Sequence, residues 1–196
     1  MGDANQRLFL ERHVPRVGGP VVEIGSKDYG STASFRDLYA GVEYTGVDLE
    51  PGKGVDLVAD LTGGLGSLRE GHYALAICCS VLEHTPEPWV MAANIKRLLR
   101  PGGMLYLSVP WVWRYHAYPD DYFRFSPRAV QSLFAALEWT QAAYSSSVTG
   151  EIVPLDLADL REVDNRMAAF ADTPQGKRKY LPYLMVNMLG RLVEPR

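Results

Sequence analysis

A chain of 196 residues, 47% of them hydrophobic, has room for one domain with one sizeable core. A formal charge of −3 argues against a broadly basic surface for nucleic acid or anionic membrane. No apolar run is long enough to span a bilayer. The opening stretch MGDANQRLFLERH carries charges where a secretory leader needs an apolar segment, so the cytoplasm is the expected compartment.

In chain order, Val21 to Ile24 read as a buried strand that runs into Gly25. A small polar turn to Gly30 and Ser31 then leads to a helix near 31–40 containing Phe35 and Leu38. A strand, glycine turn and helix in that order place backbone N–H groups where a nucleotide-like ligand can be held. The next strand, 43–48, ends at Asp48, about 20 residues past the glycine, which is the spacing of an acid that binds ribose hydroxyls. These two features suggest an adenosine cofactor.

A Pro51-Gly52 turn, a short strand 55–60 and a glycine-rich link from Gly63 to Gly66 lead to an apolar strand, 73–80. That strand carries both cysteines, Cys78 and Cys79. Neighbouring strand residues point to opposite faces, which argues against a disulfide or a shared metal between them. A helix follows over 86–100, with Thr85 as cap, Pro86 at its first position and Pro101-Gly102-Gly103 as its stop. Strand 104–109 comes next, and Ser126-Pro127 opens another helix, striped by Val130, Leu133, Phe134 and Leu137. A last strand is expected near 139–147.

Alternation of this kind implies a doubly wound, Rossmann-like α/β sandwich. The expected sheet is mostly parallel and seven-stranded, with an antiparallel edge strand. Residues 1–150 would form the cofactor-binding core. Residues 151–196 would add a helical extension packed on it, within a single domain overall. Within that extension, 155–170 reads as helical. A basic turn, Lys177-Arg178-Lys179, precedes the apolar segment YLPYLMVNMLG. That tail could cover the sheet as a helix, close over the site, or pack on a second copy as a homodimer. The first is the expected arrangement.

The order of EIGSKDYGS, YTGVDLEPG, SVLEHTPEP and LLRPGGMLYLSVP resembles class I S-adenosylmethionine-dependent methyltransferases over roughly residues 20–140. It is similar in particular to a small bacterial branch with an EIGS first loop and an HxxPxDYxRxS/T segment, here His116 to Ser126. The first loop departs from the usual GxGxG, because Gly25 is followed by Ser26, Lys27, Asp28, Tyr29 and Gly30.

Several residues become cofactor candidates. Asp48, with Leu49 beside it and Glu50 as a second contact, suits the ribose, since a carboxylate accepting hydroxyl hydrogens makes charge-assisted bonds. Asp60 and the Leu61 N–H suit the adenine. Backbone groups at Gly25, Ser26 and Gly30, and the carbonyl of Cys79 or Ser80, suit the methionine end. Lys27 could pair there with a carboxylate or lie solvated. The resemblance implies that Glu23 orders the first loop through backbone N–H groups.

The reaction this implies is a displacement at carbon, to which positioning alone contributes up to several kcal/mol. A hydroxyl acceptor would also need a base. His116 is the first candidate, oriented by Asp121 or Asp120, and His84 the second. In the competing reading, Arg124 and Asp121 form an ion pair that pins the loop, with His116 beside it. A metal at His84, His116, Asp120 and Asp121 is not expected, because no dense acidic cluster follows the fourth strand.

Trp113, Tyr115 and Tyr118 are the candidates for lining an acceptor pocket, joined by Tyr122 and Arg124 from the same loop. The expected function is methyl transfer to a small molecule, a secondary metabolite or a sugar intermediate. Oxygen is the first target atom and nitrogen the second, and no nucleic acid or membrane is involved. The alternatives are an NAD(P)-dependent oxidoreductase, which lacks a full GxGxxG here, and a cofactor-binding module without turnover.

Overall fold

The computed structural model describes residues 2–30, 34–116, 119–158, 172–173, 176–177 and 183–193. Its centre is an eight-stranded sheet. In chain order the strands are β1 (Val21–Ile24), β2 (Tyr44–Asp48), β3 (Leu57–Val58), β4 (Tyr73–Cys79), β5 (Leu99–Val112), β6 (Leu137–Ser145) and β7 (Ile152–Pro154). Two short strands, β8 (Asp172–Thr173) and β9 (Gly176–Lys177), pair with each other, and β10 (Leu184–Leu192) completes the eight-stranded sheet. The spatial order is β3-β2-β1-β4-β5-β10-β6-β7. Pairing is parallel from β3 to β5 and antiparallel from β5 through β10 and β6 to β7.

Alternate side chains of the strands feed two cores. On one face Val22, Ile24, Ala76, Cys78, Leu105 and Leu107 meet α2 (Pro88–Leu98) and α3 (Pro127–Leu133) through Met91, Ile95, Leu98 and Val130. On the other face Val21, Leu75, Ile77, Tyr106 and Leu189 meet Phe9 and Leu10 of α1 (Gly2–His13), together with Phe35 and Tyr39. Phe9 stacks on Tyr106 with ring centroids 5.1 Å apart, worth about 0.5–1.5 kcal/mol beyond its burial. Cys78 and Cys79 lie on opposite faces of the sheet.

Several elements differ from the sequence reading. The sheet has an antiparallel edge strand, the short β7, as expected, but it has eight strands rather than seven because a second antiparallel strand, β10, lies inside it. The apolar tail is therefore strand, not helix, over residues 184–192. A short apolar run has no period to separate the two, and here it is buried on both sides by β5 and β6. At its centre the fully buried Asn187 accepts from Tyr106 Oη at 2.9 Å and donates to Ser145 Oγ at 2.9 Å, so a polar residue is satisfied within the core. The expected helix over 155–170 lies largely outside the described residues, as do Ser31, Tyr118, Arg178 and Lys179.

Among the described residues of the helix expected near 31–40, the structure has a 3-10 turn, Arg36–Tyr39. The loop after β1 is fastened to β2 through the Lys27 N–H, Gly30 donates back to Asp28 within the loop, and Gly41 turns the chain at φ +93°. α2 begins at Pro88 rather than Pro86. Glu87 precedes a proline and is held out of the helical region at φ −124°, ψ 64°. Thr85 does not cap that helix; its Oγ1 donates back to the Val81 carbonyl at 3.1 Å. Pro101-Gly102-Gly103 falls in a register shift of β5, between the pairs Leu99–Tyr73 and Met104–Leu75.

Candidate active site

The carboxyl ends of β1, β2 and β4 lie side by side. Gly25 turns at φ +77° beyond β1, and a Cβ there would sit 2.3 Å from Val81 Cγ2. Its N–H and that of Ser26 both donate to the Val47 carbonyl, at 2.8 and 3.1 Å, which folds the first loop onto β2. Ser80, just past β4, is the non-glycine residue with positive φ, +54°, among the described residues. Such strained backbone collects at functional sites because the surrounding structure must hold it in place.

The first loop is stapled to the segment after β2. Asp48 Oδ2 accepts the Lys27 N–H at 3.1 Å, and Oδ1 accepts the Glu50 N–H at 3.3 Å. Lys27 Nζ pairs with Glu50 at 2.6 Å, Lys53 Nζ pairs with Asp28 at 2.6 Å, and the Asp28 N–H donates to the Lys53 carbonyl at 2.8 Å. Two glycines that sequence reasoning passed over make this crossing possible. A Cβ at Gly46 would lie 2.1 Å from the Gly54 carbonyl, and one at Gly54, φ +90°, would lie 2.5 Å from the Ser26 carbonyl. Ser26 Oγ is buried against Gly46 with no hydrogen-bond partner among the described residues.

Glu23 engages β2 through its carboxylate. Its side chain points to the other face of the sheet and accepts the Tyr44 hydroxyl at 2.6 Å. Burial raises its pKa to about 7. Asp60 begins a turn, with Oδ1 accepting from the Thr62 N–H at 2.8 Å and the Thr62 hydroxyl at 2.7 Å. The buried Leu61 is fixed from α2, where Asn94 Nδ2 donates to its carbonyl at 2.7 Å. Leu49 and Gly30 lie exposed on the rim.

Beyond β4, a 3-10 turn (Leu82–His84) meets the loop that follows β5. The N–H groups of Tyr122 and Phe123 donate to the Glu83 carbonyl at 2.8 and 3.3 Å, and Phe125 N–H donates to the Pro110 carbonyl at 2.9 Å. His84 Nδ1 lies 2.6 Å from the Asp120 carbonyl, and its ring stands edge-on to His116 with centroids 4.8 Å apart. Burial lowers the His84 pKa.

Asp121, whose side chain is 1% exposed, is gripped by Arg124 through both oxygens, at 2.5 and 2.7 Å. That guanidinium holds the Asp121 carboxyl well below the usual carboxylate range. Arg124 also donates to the carbonyls of Trp113, Arg114 and Phe123. All three guanidinium nitrogens are thus engaged within the loop, so Arg124 sits as its internal brace rather than as a group presented to an acceptor. Asp121 in turn receives the His116 N–H at 2.8 Å, with His116 Nδ1 3.2 Å away.

The aromatic residues divide. Trp113 lies near His116, with centroids 6.1 Å apart, and packs on Tyr183 at 4.4 Å. Tyr115 is 66% exposed and donates to Asp120 at 2.8 Å, while Tyr122 is half exposed. Glu83 was not singled out from the sequence, although it stands directly before His84. It is 1% exposed, its Oε2 has no hydrogen-bond partner among the described residues, and burial raises its pKa to about 8.

Comparison with known proteins agrees with this architecture. An uncharacterized methyltransferase of Mycobacterium leprae is 35% identical over 112 residues, covering 52% of this chain and 41% of that protein. One of Mycobacterium tuberculosis is 33% identical over 117 residues, covering 54% and 45%. The chain thus spans less than half the length of these curated relatives. Among solved structures, the Burkholderia thailandensis 1,6-didemethyltoxoflavin-N1-methyltransferase matches with a TM-score of 0.60 at 18% identity, covering 96% of this chain and 77% of that one. The YcgJ protein of Bacillus subtilis matches with a TM-score of 0.64 at 11% identity, covering 97% and 99%. Both show the fold. Residues 1–155 match the family described as Methyltransferase domain, and the chain belongs to that family.

Proposed function

We propose that this protein transfers a methyl group from S-adenosylmethionine to a small-molecule acceptor, with oxygen as the first target atom. The observation that most supports this reading is the convergence of Gly25, Asp48 and Ser80 on adjacent strand ends. The residues suit the nucleoside. Each Asp48 oxygen accepts one backbone N–H and keeps a lone pair for a ribose hydroxyl. Asp60 keeps Oδ2 for an adenine amino group, since Thr62 takes Oδ1. Exposed Leu49, Tyr29 and Val58 offer apolar surface along the same rim. Among the described residues a Cβ at Gly30 would meet nothing within 4 Å.

When bound, the cofactor supplies an electrophilic methyl on a sulfonium. The chain's own part is positioning. The first loop and Asp48 fix the nucleoside, the 113–125 loop, braced by Arg124, carries Trp113 and His116 toward the acceptor, and the turn after β4 carries His84 there. The solved Burkholderia neighbour, which holds 1,6-didemethyltoxoflavin and S-adenosylhomocysteine, supports a small-molecule acceptor.

Calorimetric titration with S-adenosylhomocysteine, S-adenosylmethionine and NADH tests the reading, followed by transfer of labelled methyl to a panel of hydroxyl and amine acceptors. Saturable binding of the two sulfur nucleosides is the expected result. Binding of NADH with neither of them would overturn it.

A further inference from the structure

Glu83, His84 and His116 each bring a ligand-capable atom within 4.8 Å of the others, between the end of β4 and the loop after β5. Glu83 Oε1 lies 3.9 Å from His84 Nε2, and Oε2 is the buried orphan already described. Burying a carboxylate without partners is costly, and a bound cation offsets that cost.

The two imidazoles are set in the state a metal requires. His84 Nδ1 faces the Asp120 carbonyl, which can only accept, so Nδ1 carries the hydrogen and Nε2 keeps its lone pair on the side of Glu83. His116 Nδ1 lies 3.2 Å from Asp121 Oδ2 and 3.2 Å from the Arg114 carbonyl, both acceptors, which selects the same tautomer. Metal-bound histidines characteristically donate their second ring N–H to a carbonyl or carboxylate in this way. Asp121 is itself held by Arg124.

We propose that Glu83, His84 and His116 bind one divalent transition-metal ion at the acceptor end of the cleft, its open position taking an oxygen of the acceptor. The acceptor's part rests on the methyl-transfer reading; the ion's does not. Two imidazoles and one carboxylate favour Zn²⁺ or Co²⁺ over Mg²⁺ or Ca²⁺, which prefer all-oxygen shells. Donors sharing one such ion at ~2.1 Å lie about 3.0–3.5 Å apart, so the three ligand atoms, within 4.8 Å of one another, draw together by roughly 1 Å on binding. Asp120 and Asp121 stand behind the rings rather than serving as ligands. This is why a search for an acidic cluster passes over the site.

The test is titration of the full-length, chelator-stripped protein with Zn²⁺ against a chromophoric chelator, and with Co²⁺ followed by its visible absorption. One Zn²⁺ per chain is expected, weakened about tenfold or more in His116→Ala and in Glu83→Gln, and unchanged in His72→Ala. Thermal melting and S-adenosylhomocysteine titration establish that each variant is folded. Wild-type protein that takes up no stoichiometric Zn²⁺, or a folded His116→Ala that binds it as tightly as wild type, overturns the proposal. Zn²⁺ binding without S-adenosylhomocysteine binding upholds the ion site and removes the methyl-transfer reading, and the reverse pattern does the opposite.

Discussion

Replacing Gly25 by alanine probes the pinch point between the first loop and the turn after β4. At φ +77° an alanine in left-handed backbone costs about 1–2 kcal/mol. The new methyl would lie 2.3 Å from Val81 Cγ2, far inside the ~3.5–4.0 Å of ordinary carbon contact, and overpacking of that kind costs about 1–3 kcal/mol. The sum, about 2–5 kcal/mol, corresponds to a fall in Tm of roughly 10 °C for a domain of this size. Differential scanning calorimetry measures it. Because the two contributions have separate causes, the double variant Gly25→Ala/Val81→Ala, referenced to Val81→Ala alone, should recover the steric part and keep the backbone part. The surviving folded fraction should bind S-adenosylhomocysteine more weakly, since the loop that carries the Lys27 N–H to Asp48 has been displaced. A Gly25→Ala protein that melts within a degree of wild type, or a double variant that recovers nothing, would refute the argument.

Glu23→Gln tests the buried carboxyl under Tyr44. Its folded pKa, about 7, lies above the ordinary 4.5, so its contribution is fully present below pH 4.5 and is lost as the pH rises to about 7, by up to about 3 kcal/mol. The Tm of Glu23→Gln relative to wild type should therefore increase between pH 4.5 and 8, and parallel Tm curves would contradict it. Asp48→Asn exchanges a charge-assisted acceptor for a neutral amide and should weaken S-adenosylhomocysteine binding by about tenfold, read by calorimetry; unchanged affinity would remove Asp48 from the nucleoside site. Arg124→Ala leaves the Asp121 carboxylate buried without its bidentate partner and should cost about 3 kcal/mol, seen as a lower Tm and faster proteolysis within 113–125. A melt indistinguishable from wild type would mean that Arg124 does not brace the loop.

The parallel half of the fold was legible in the sequence because its signals are local. Val21 to Ile24 running into Gly25, YTGVD ending in an acid, and Pro88 to Leu98 between a proline pair and a glycine pair each carry period and punctuation within a dozen residues. Gly25, Asp48 and Ser80 could be placed at strand ends for the same reason. The fate of LMVNMLGRL could not be read this way. A continuous apolar run is compatible with helix or strand, and its choice was made by the open edges of β5 and β6 and by Tyr106 and Ser145 waiting for Asn187.

The loop after β5 divides along the same line. Its aromatic and acidic residues announce themselves in the sequence. That Arg124 turns inward onto Asp121 and that Asp121 backs His116 are choices made within the loop, but that this loop meets the Glu83-His84 turn depends on contacts across the fold, between residues more than 30 positions apart in the chain. Local composition determined which groups were present and where the strands ended. Only tertiary packing decided which of those groups face one another, because burial and hydrogen-bond satisfaction are properties of the assembled sheet rather than of any segment.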